Sequence, residues 1–172
     1  MNNLSLYQLL RRVLIPFYAI LFILLFIPRV NAQEKPPKPI IIRVSTLQHL
    51  SFGSFVQTGS YGTVTVDHSG YRSATGNIIL PNSSSIVTAA LFEVEAIPGT
   101  LVHILNGAPV SLGGSNGGSL LLTIGDASTG TPFLTTGERS NVFIGGTLTV
   151  RSLLDNPAGE YSGMFQVTFI QQ

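Results

Sequence analysis

The sequence contains no cysteine and no tryptophan, and from Ile40 onward it contains no lysine and only four arginines, Arg43, Arg72, Arg139 and Arg151. Each absence removes a class of function. Without cysteine there is no disulfide framework, no thiolate nucleophile, no cysteine-ligated zinc and no lipid anchor on a cysteine at a processed N-terminus. Without tryptophan, a flat aromatic platform for sugar has to come from tyrosine. Four scattered arginines make no basic stripe to neutralise phosphates, which argues against nucleic acid and anionic membrane surfaces as partners. Long apolar runs are scarce too, and the one that exists lies near the N-terminus.

Arg11 and Arg12 precede that run, Val13 to Ile27, and Val30, Asn31 and Ala32 place short side chains where a signal peptidase needs them. Residues 1–32 are therefore expected to be a secretory signal peptide. The rival reading is an uncleaved anchor, but 15 residues at about 1.5 Å each reach roughly 22 Å, short of a hydrocarbon core of about 30 Å. Pro16 and Pro28 also limit the helix. On this reading the membrane is met only through the signal, before cleavage, and the product is secreted, periplasmic or at the cell surface. Cleavage removes Arg11, Arg12 and Arg29, leaving six basic against eight acidic residues, so the apparent net charge of +1 becomes −2. The remaining 140 residues are the size of one domain, large enough to bury a core without staples.

All 18 glycines lie beyond the signal, as punctuation between short apolar runs, and no apolar period of 3.6 residues persists over a helical length. The pattern predicts strands at Ile40–Leu47, Leu50–Phe55, Gly62–Asp67, Asn77–Leu80, Thr88–Glu95, Leu101–Leu105, Leu120–Ile124, Asn141–Ile144, Thr147–Leu153 and Glu160–Ile170. Many short strands divided by Gly, Asn and Pro indicate an all-β sandwich or barrel. The expected fold is an antiparallel β-sandwich, immunoglobulin-like or adhesin-like, over residues 40–172. In "GTVTVD", Val64 and Val66 point one way and Thr63, Thr65 and Asp67 the other. "GTLTVR" repeats this with Leu148 and Val150 inside. Near the end of the sequence, Tyr161, Phe165, Val167 and Phe169 share one face, opposite Ser162, Met164, Gln166 and Thr168. Upstream, "QEKPPKP" at 33–39 holds two lysines and three prolines, and reads as an extended tether.

Motifs that look chemical have plainer readings. "GGSNG" at 113–117 matches a nucleophile elbow around Ser115, but that turn leads into a helix and "GSLLLTI" is a strand, so a hairpin loop is expected. Asp67, His68 and Ser69 are contiguous and lack the geometry of a triad, which leaves a polar turn. His49 and His103 stand apart from any metal-ligand spacing. Glu93 and Glu95 share a strand face about 7 Å apart, near glycosidase spacing, yet Ala90, Phe92 and Val94 take the core side and leave both carboxylates to solvent. "DASTGT" at 126–131 has one acidic residue where a calcium loop needs several oxygens. No pattern requires a catalytic group, a metal or a cofactor. Two sets of candidate contact residues remain: an alternating arm, Ile40, Ile42 and Val44, able to add as a strand to another sheet, and Tyr61 and Tyr71, candidate loop contacts for a ligand such as glycan.

Taken together, "LSFGSF" at 50–55, "GTVTV" at 62–66, "GYRS" at 70–73, "ALFEVEAIPGT" at 90–100, "VFIGGTLTV" at 142–150 and "PAGEYSGMFQVTF" at 157–169 make the chain resemble the bacterial family catalogued as domain of unknown function 4402. That resemblance implies a secreted or envelope-associated all-β protein, similar in kind to fimbrial subunits, and supplies no catalytic residues. The leading expectation is a non-catalytic structural or adhesive surface component, partnered with copies of itself or other envelope proteins by strand addition. The arm could equally fold back as the domain's own first strand. The alternative is a soluble extracellular binding module for glycan or another envelope protein, using loops 57–61 and 107–118. An enzyme is the third reading and has the least in its favour.

Overall fold

The computed structural model describes residues 41–44, as backbone, together with residues 48–82 and 85–172. The signal peptide over 1–32, the tether over 33–39 and Ile40 of the arm lie outside the described residues.

Among the described residues the chain forms strands and no helix. The first six are β1 (Ile41–Val44), β2 (Ser51–Phe52), β3 (Val56–Val66), β4 (Arg72–Ile79), β5 (Val87–Thr88) and β6 (Ala90–Glu95). They are followed by β7 (Leu101–Asn106), β8 (Val110–Gly114), β9 (Ser119–Ala127) and β10 (Phe133–Leu134). The last three are β11 (Arg139–Val150), β12 (Tyr161–Ser162) and β13 (Val167–Gln171). Every pairing is antiparallel.

The two Thr-faced repeats lie side by side at the centre. Gly146 of β11 stands opposite Val66 of β3, Leu148 opposite Val64 and Val150 opposite Gly62. Alternation then fixes both faces. Val64, Val66, Leu148 and Val150 are buried, while the threonines of the other face form a hydroxyl ladder, with Thr65 Oγ1 3.0 Å from Thr147 Oγ1 and Thr63 Oγ1 2.6 Å from Thr75 Oγ1 of β4.

β11 organises the large sheet by changing partners along its length. Arg139 to Ile144 pair with β6, which carries β1 on its far edge, and Gly146 to Val150 pair with β3, which carries β4. The opposite edge of β11 holds β9, then β8 and β12. The change falls at Gly145, where the register with β9 also shifts. A Cβ there would lie 2.7 Å from the carbonyl carbon of Asp67, so only glycine lets the end of β3 come this close. The sheet curls at this point.

A second layer of β10, β7 and β13 covers the inner face, and β2 and β5 form a short ribbon. Val102 and Ile104 of β7 enter the core with Val94, Val142 and Ile144 of the large sheet. Phe92 of β6 meets Phe165 and Phe169 at ring-centroid separations of 6.4 and 5.5 Å, within the range of favourable aromatic pairs. The chain is thus an all-β antiparallel sandwich, as its pattern predicts.

Several predicted elements differ from the observed ones; among them, Thr88–Glu95 is split between β5 of the ribbon and β6 of the large sheet, and β10 was not expected. Asn141–Ile144 and Thr147–Leu153 are one strand, β11, bent at its glycine pair. The segment 160–170 is two strands in different sheets: β12 pairs with β8 and β13 with β7, so the chain crosses between layers while its side-chain alternation continues. β8 was expected to be loop; Gly113 and Gly114 pair with Ser162 and Tyr161, and the Tyr161 ring sits 2.7 Å from where a Gly114 Cβ would be. β3 begins at Val56, so residues 57–61 are strand and not loop, with a register break between Gln57 and Gly62.

Candidate binding cleft

Among the described residues, a cleft opens against the inner face of the large sheet, whose side chains there are themselves buried. Leu112 of β8, Leu120 and Leu122 of β9, and Leu148 and Val150 of β11 form the floor of a cavity of about 1200 Å³. It is open to one side, and its volume lies somewhat above the roughly 300–1,000 Å³ of a small-molecule site.

Two runs of chain make its walls, Gln48–Gln57 on one side and Asn156–Phe165 on the other. The first is held from behind by Arg72, whose Nη1 donates to the carbonyls of Phe52 and Ser54, both at 2.9 Å. Ser85 adds to this, its Oγ accepting the Ser54 N–H at 3.1 Å. Gly53, at φ +63°, makes the turn that directs Phe52 and Phe55 toward the cavity.

The second wall is anchored at both ends. Asn156, buried, accepts the Arg151 N–H through Oδ1 at 2.5 Å and donates through Nδ2 to the Ser119 carbonyl. Tyr161 donates its hydroxyl to the Pro157 carbonyl at 2.5 Å, and burial pushes its phenol pKa above the ordinary value. Between β12 and β13, residues 163–166 stand outside both strand pairings. Among the described residues β13 itself pairs on one edge only, with β7. Met164, 92% exposed, lies on the rim. The lining is mainly apolar, with polar side chains along its walls, and its titratable side chains among the described residues are His49, Glu160 and Tyr161.

A family described as Domain of unknown function (DUF4402) matches residues 42–170. The chain belongs to that family. No curated protein and no solved structure matches the chain. The family match takes in both cleft walls and the whole floor.

The residues singled out in the sequence fall at separate places. Ile42 and Val44 lie in β1, opposite Val94 and Phe92 of the same chain's β6. Tyr61 is 56% exposed within β3 and Tyr71 is 70% exposed in the turn before β4. They flank opposite ends of the ladder that runs from Gly62↔Gly76 to Val66↔Arg72, so they form no shared platform. Loop 107–118 is largely β8 and its turn, with Gly117 and Gly118 at positive φ. Ser115 is engaged there, its N–H donating to the Glu160 carbonyl at 2.8 Å and its Oγ accepting the Glu160 N–H at 3.1 Å. Asp67 caps its own turn, as the polar-turn reading requires. Glu93 and Glu95 do share a face, but they are less open to solvent than expected: Arg139, from the neighbouring strand, lies 3.5 Å from Glu93 and 3.0 Å from Glu95.

The cleft itself is absent from the sequence reading. Its floor residues are ordinary inward positions of three strands, and only the long-range pairing of β8, β9 and β11 aligns them. The one local signal was the even spacing of Tyr161 and Phe165, two wall residues.

Proposed function

We propose that this is a non-catalytic structural or adhesive component of the cell envelope, exported by its N-terminal segment and working through the cleft as an interaction site. The observation that carries the reading is the cleft's make-up: five aliphatic side chains on its floor and aromatic groups on its walls. Such a lining rewards burial of apolar surface and offers little for proton transfer or nucleophilic attack, which need converging titratable groups. The glutamates that could have served as a catalytic pair are tied to Arg139. Export rests on Arg11, Arg12 and the apolar run that follows.

The test is fractionation of cells expressing the full chain. The expected product is shortened by residues 1–32 and recovered with the envelope or at the surface. Full-length chain confined to the cytoplasm would overturn the proposal.

A further inference from the structure

We infer that the cleft is an acceptor slot for residues 40–46 of a second copy of this chain, which enter as an added strand beside β13. The inference deepens the proposed function and rests on it. Four observations converge on this occupant.

First, the cleft lies between the start and the end of the domain, with 48–57 and 156–165 as its walls, and the second wall leads from Phe165 directly into β13 at Val167. Second, β13 pairs on one edge only among the described residues, and 163–165 lie outside the strand pairings on either side, while the Gln166 carbonyl accepts the Gly107 N–H at 2.9 Å. Unpaired strand backbone is a template for another strand; an acyl chain filling the same cavity would leave those N–H and C=O groups without partners. Third, "IIIRVST" places Ile40, Ile42 and Val44 at two-residue steps with Arg43 between them, the pattern needed to put one side into an apolar floor and the other toward water. Seven extended residues span about 23 Å, and the ten-residue wall 48–57 spans at most about 33 Å, so the arm fits the length available.

Fourth, the arm is set off from the rest of its edge. Val44 stands opposite Phe92 and Ser51 opposite Thr88, so seven steps along the N-terminal run correspond to four along β5 and β6. The break in register separates β1 from β2. At home β1 is the outermost strand and pairs with β6 alone among the described residues. Donation replaces that pairing with a strand ladder plus an apolar floor. Because donor arm and acceptor cleft are different surfaces, the contact is heterologous and repeats head to tail into open chains or rings.

The chain's lack of cysteine makes the test clean. Arg43→Cys labels the outward side of the arm, and Met164→Cys, at a position 92% exposed, labels the cleft rim. Mixed under oxidising conditions after export, these two single variants should give a disulfide-linked dimer joining positions 43 and 164, and the double variant should give a ladder of covalent oligomers. The pair Arg43→Cys with Glu93→Cys, opposite each other in β1 and β6, locks the arm at home and should return the chain to monomer. As a measurement free of substitutions, a synthetic peptide of residues 38–47 added to the unaltered processed chain should raise its melting temperature with concentration and dissolve its oligomers.

An envelope-located chain that stays monomeric at all concentrations, forms no 43–164 bond and ignores the peptide overturns the inference while leaving the proposed function standing. Uptake of a fluorescent long-chain fatty acid into the cleft with no response to the peptide also overturns it. Cytoplasmic retention, by contrast, removes the proposed function itself.

Discussion

Leu148 of β11 stands directly opposite Val64 of β3, and both side chains are buried where the two Thr-faced repeats meet. Leu148 also belongs to the cleft floor. Its removal therefore acts on stability and on the cleft together. Leu148→Ala is expected to cost about 2–5 kcal/mol, with the lower end applying if the open cleft already leaves the site underpacked. Urea unfolding of the wild type and variant measures the difference. A loss below about 0.5 kcal/mol, the level of an ordinary surface change, would mean that this position is not part of the core.

Gly145 is expected to be the least replaceable glycine. Its missing side chain makes room for Asp67, whose Cα would lie 2.9 Å from an added Cβ, and the neighbour is backbone that cannot rotate away. Gly145→Ala should separate β3 from β11 and cost at least the roughly 1–3 kcal/mol typical of overpacking. Gly130→Ala is the control for a glycine with open space around it but positive φ; strain alone should cost about 1 kcal/mol. Equal melting temperatures for the two variants would contradict the role given to the close approach.

Asn156 and Arg139 separate a buried polar contact from an exposed one. Asn156→Ala leaves the Arg151 N–H and the Ser119 carbonyl without their partner, in a buried setting, for an expected loss of about 1–3 kcal/mol. Arg139 makes two ion pairs, yet its side chain is 60% exposed. Arg139→Ala should therefore change stability by less than about 1 kcal/mol. Chemical denaturation of both variants side by side checks the order; a larger effect at Arg139 would reverse the argument.

The inward and outward faces were legible in the sequence because each strand's two faces are chemically uniform. Val64 and Val66 against Thr63 and Thr65 leave no ambiguity, and Ala90, Phe92 and Val94 are buried as their spacing predicts. Alternation, however, reports a face and says nothing about which strand lies alongside. Tyr161 and Phe169 keep a common face while belonging to different sheets, so the crossing between layers left no local trace. β8 was hidden for a related reason. Its Gly114 looks like loop composition, but the residue is small because the Tyr161 ring, 47 positions later in the chain, occupies the space above it. The Arg139 contact with Glu93 and Glu95 and the whole cleft floor share that dependence on distant pairing.

The pH dependence of stability should carry a signature of the turn at Asp67. Its Oδ1 accepts the Ser69 hydroxyl at 2.6 Å and the backbone N–H groups of Ser69 and Tyr71 at 2.8 and 3.0 Å. The Ser69 hydroxyl is the largest cause holding the carboxyl below its ordinary value of 3.8. A carboxyl with a lowered pKa in the folded state contributes stability above its unfolded value, and that contribution disappears as pH falls through the folded one. The wild type should thus lose part of its advantage over Asp67→Ala on acidification from about pH 4 downward, its melting temperature falling toward that of Asp67→Asn. Asp67→Asn keeps the oxygen acceptor without the charge, so its melting temperature should fall between the two at neutral pH. Its difference from Asp67→Ala should also stay constant on acidification. A gap between wild type and Asp67→Ala that persists unchanged to about pH 2 would mean that the ionised carboxylate does not hold this turn.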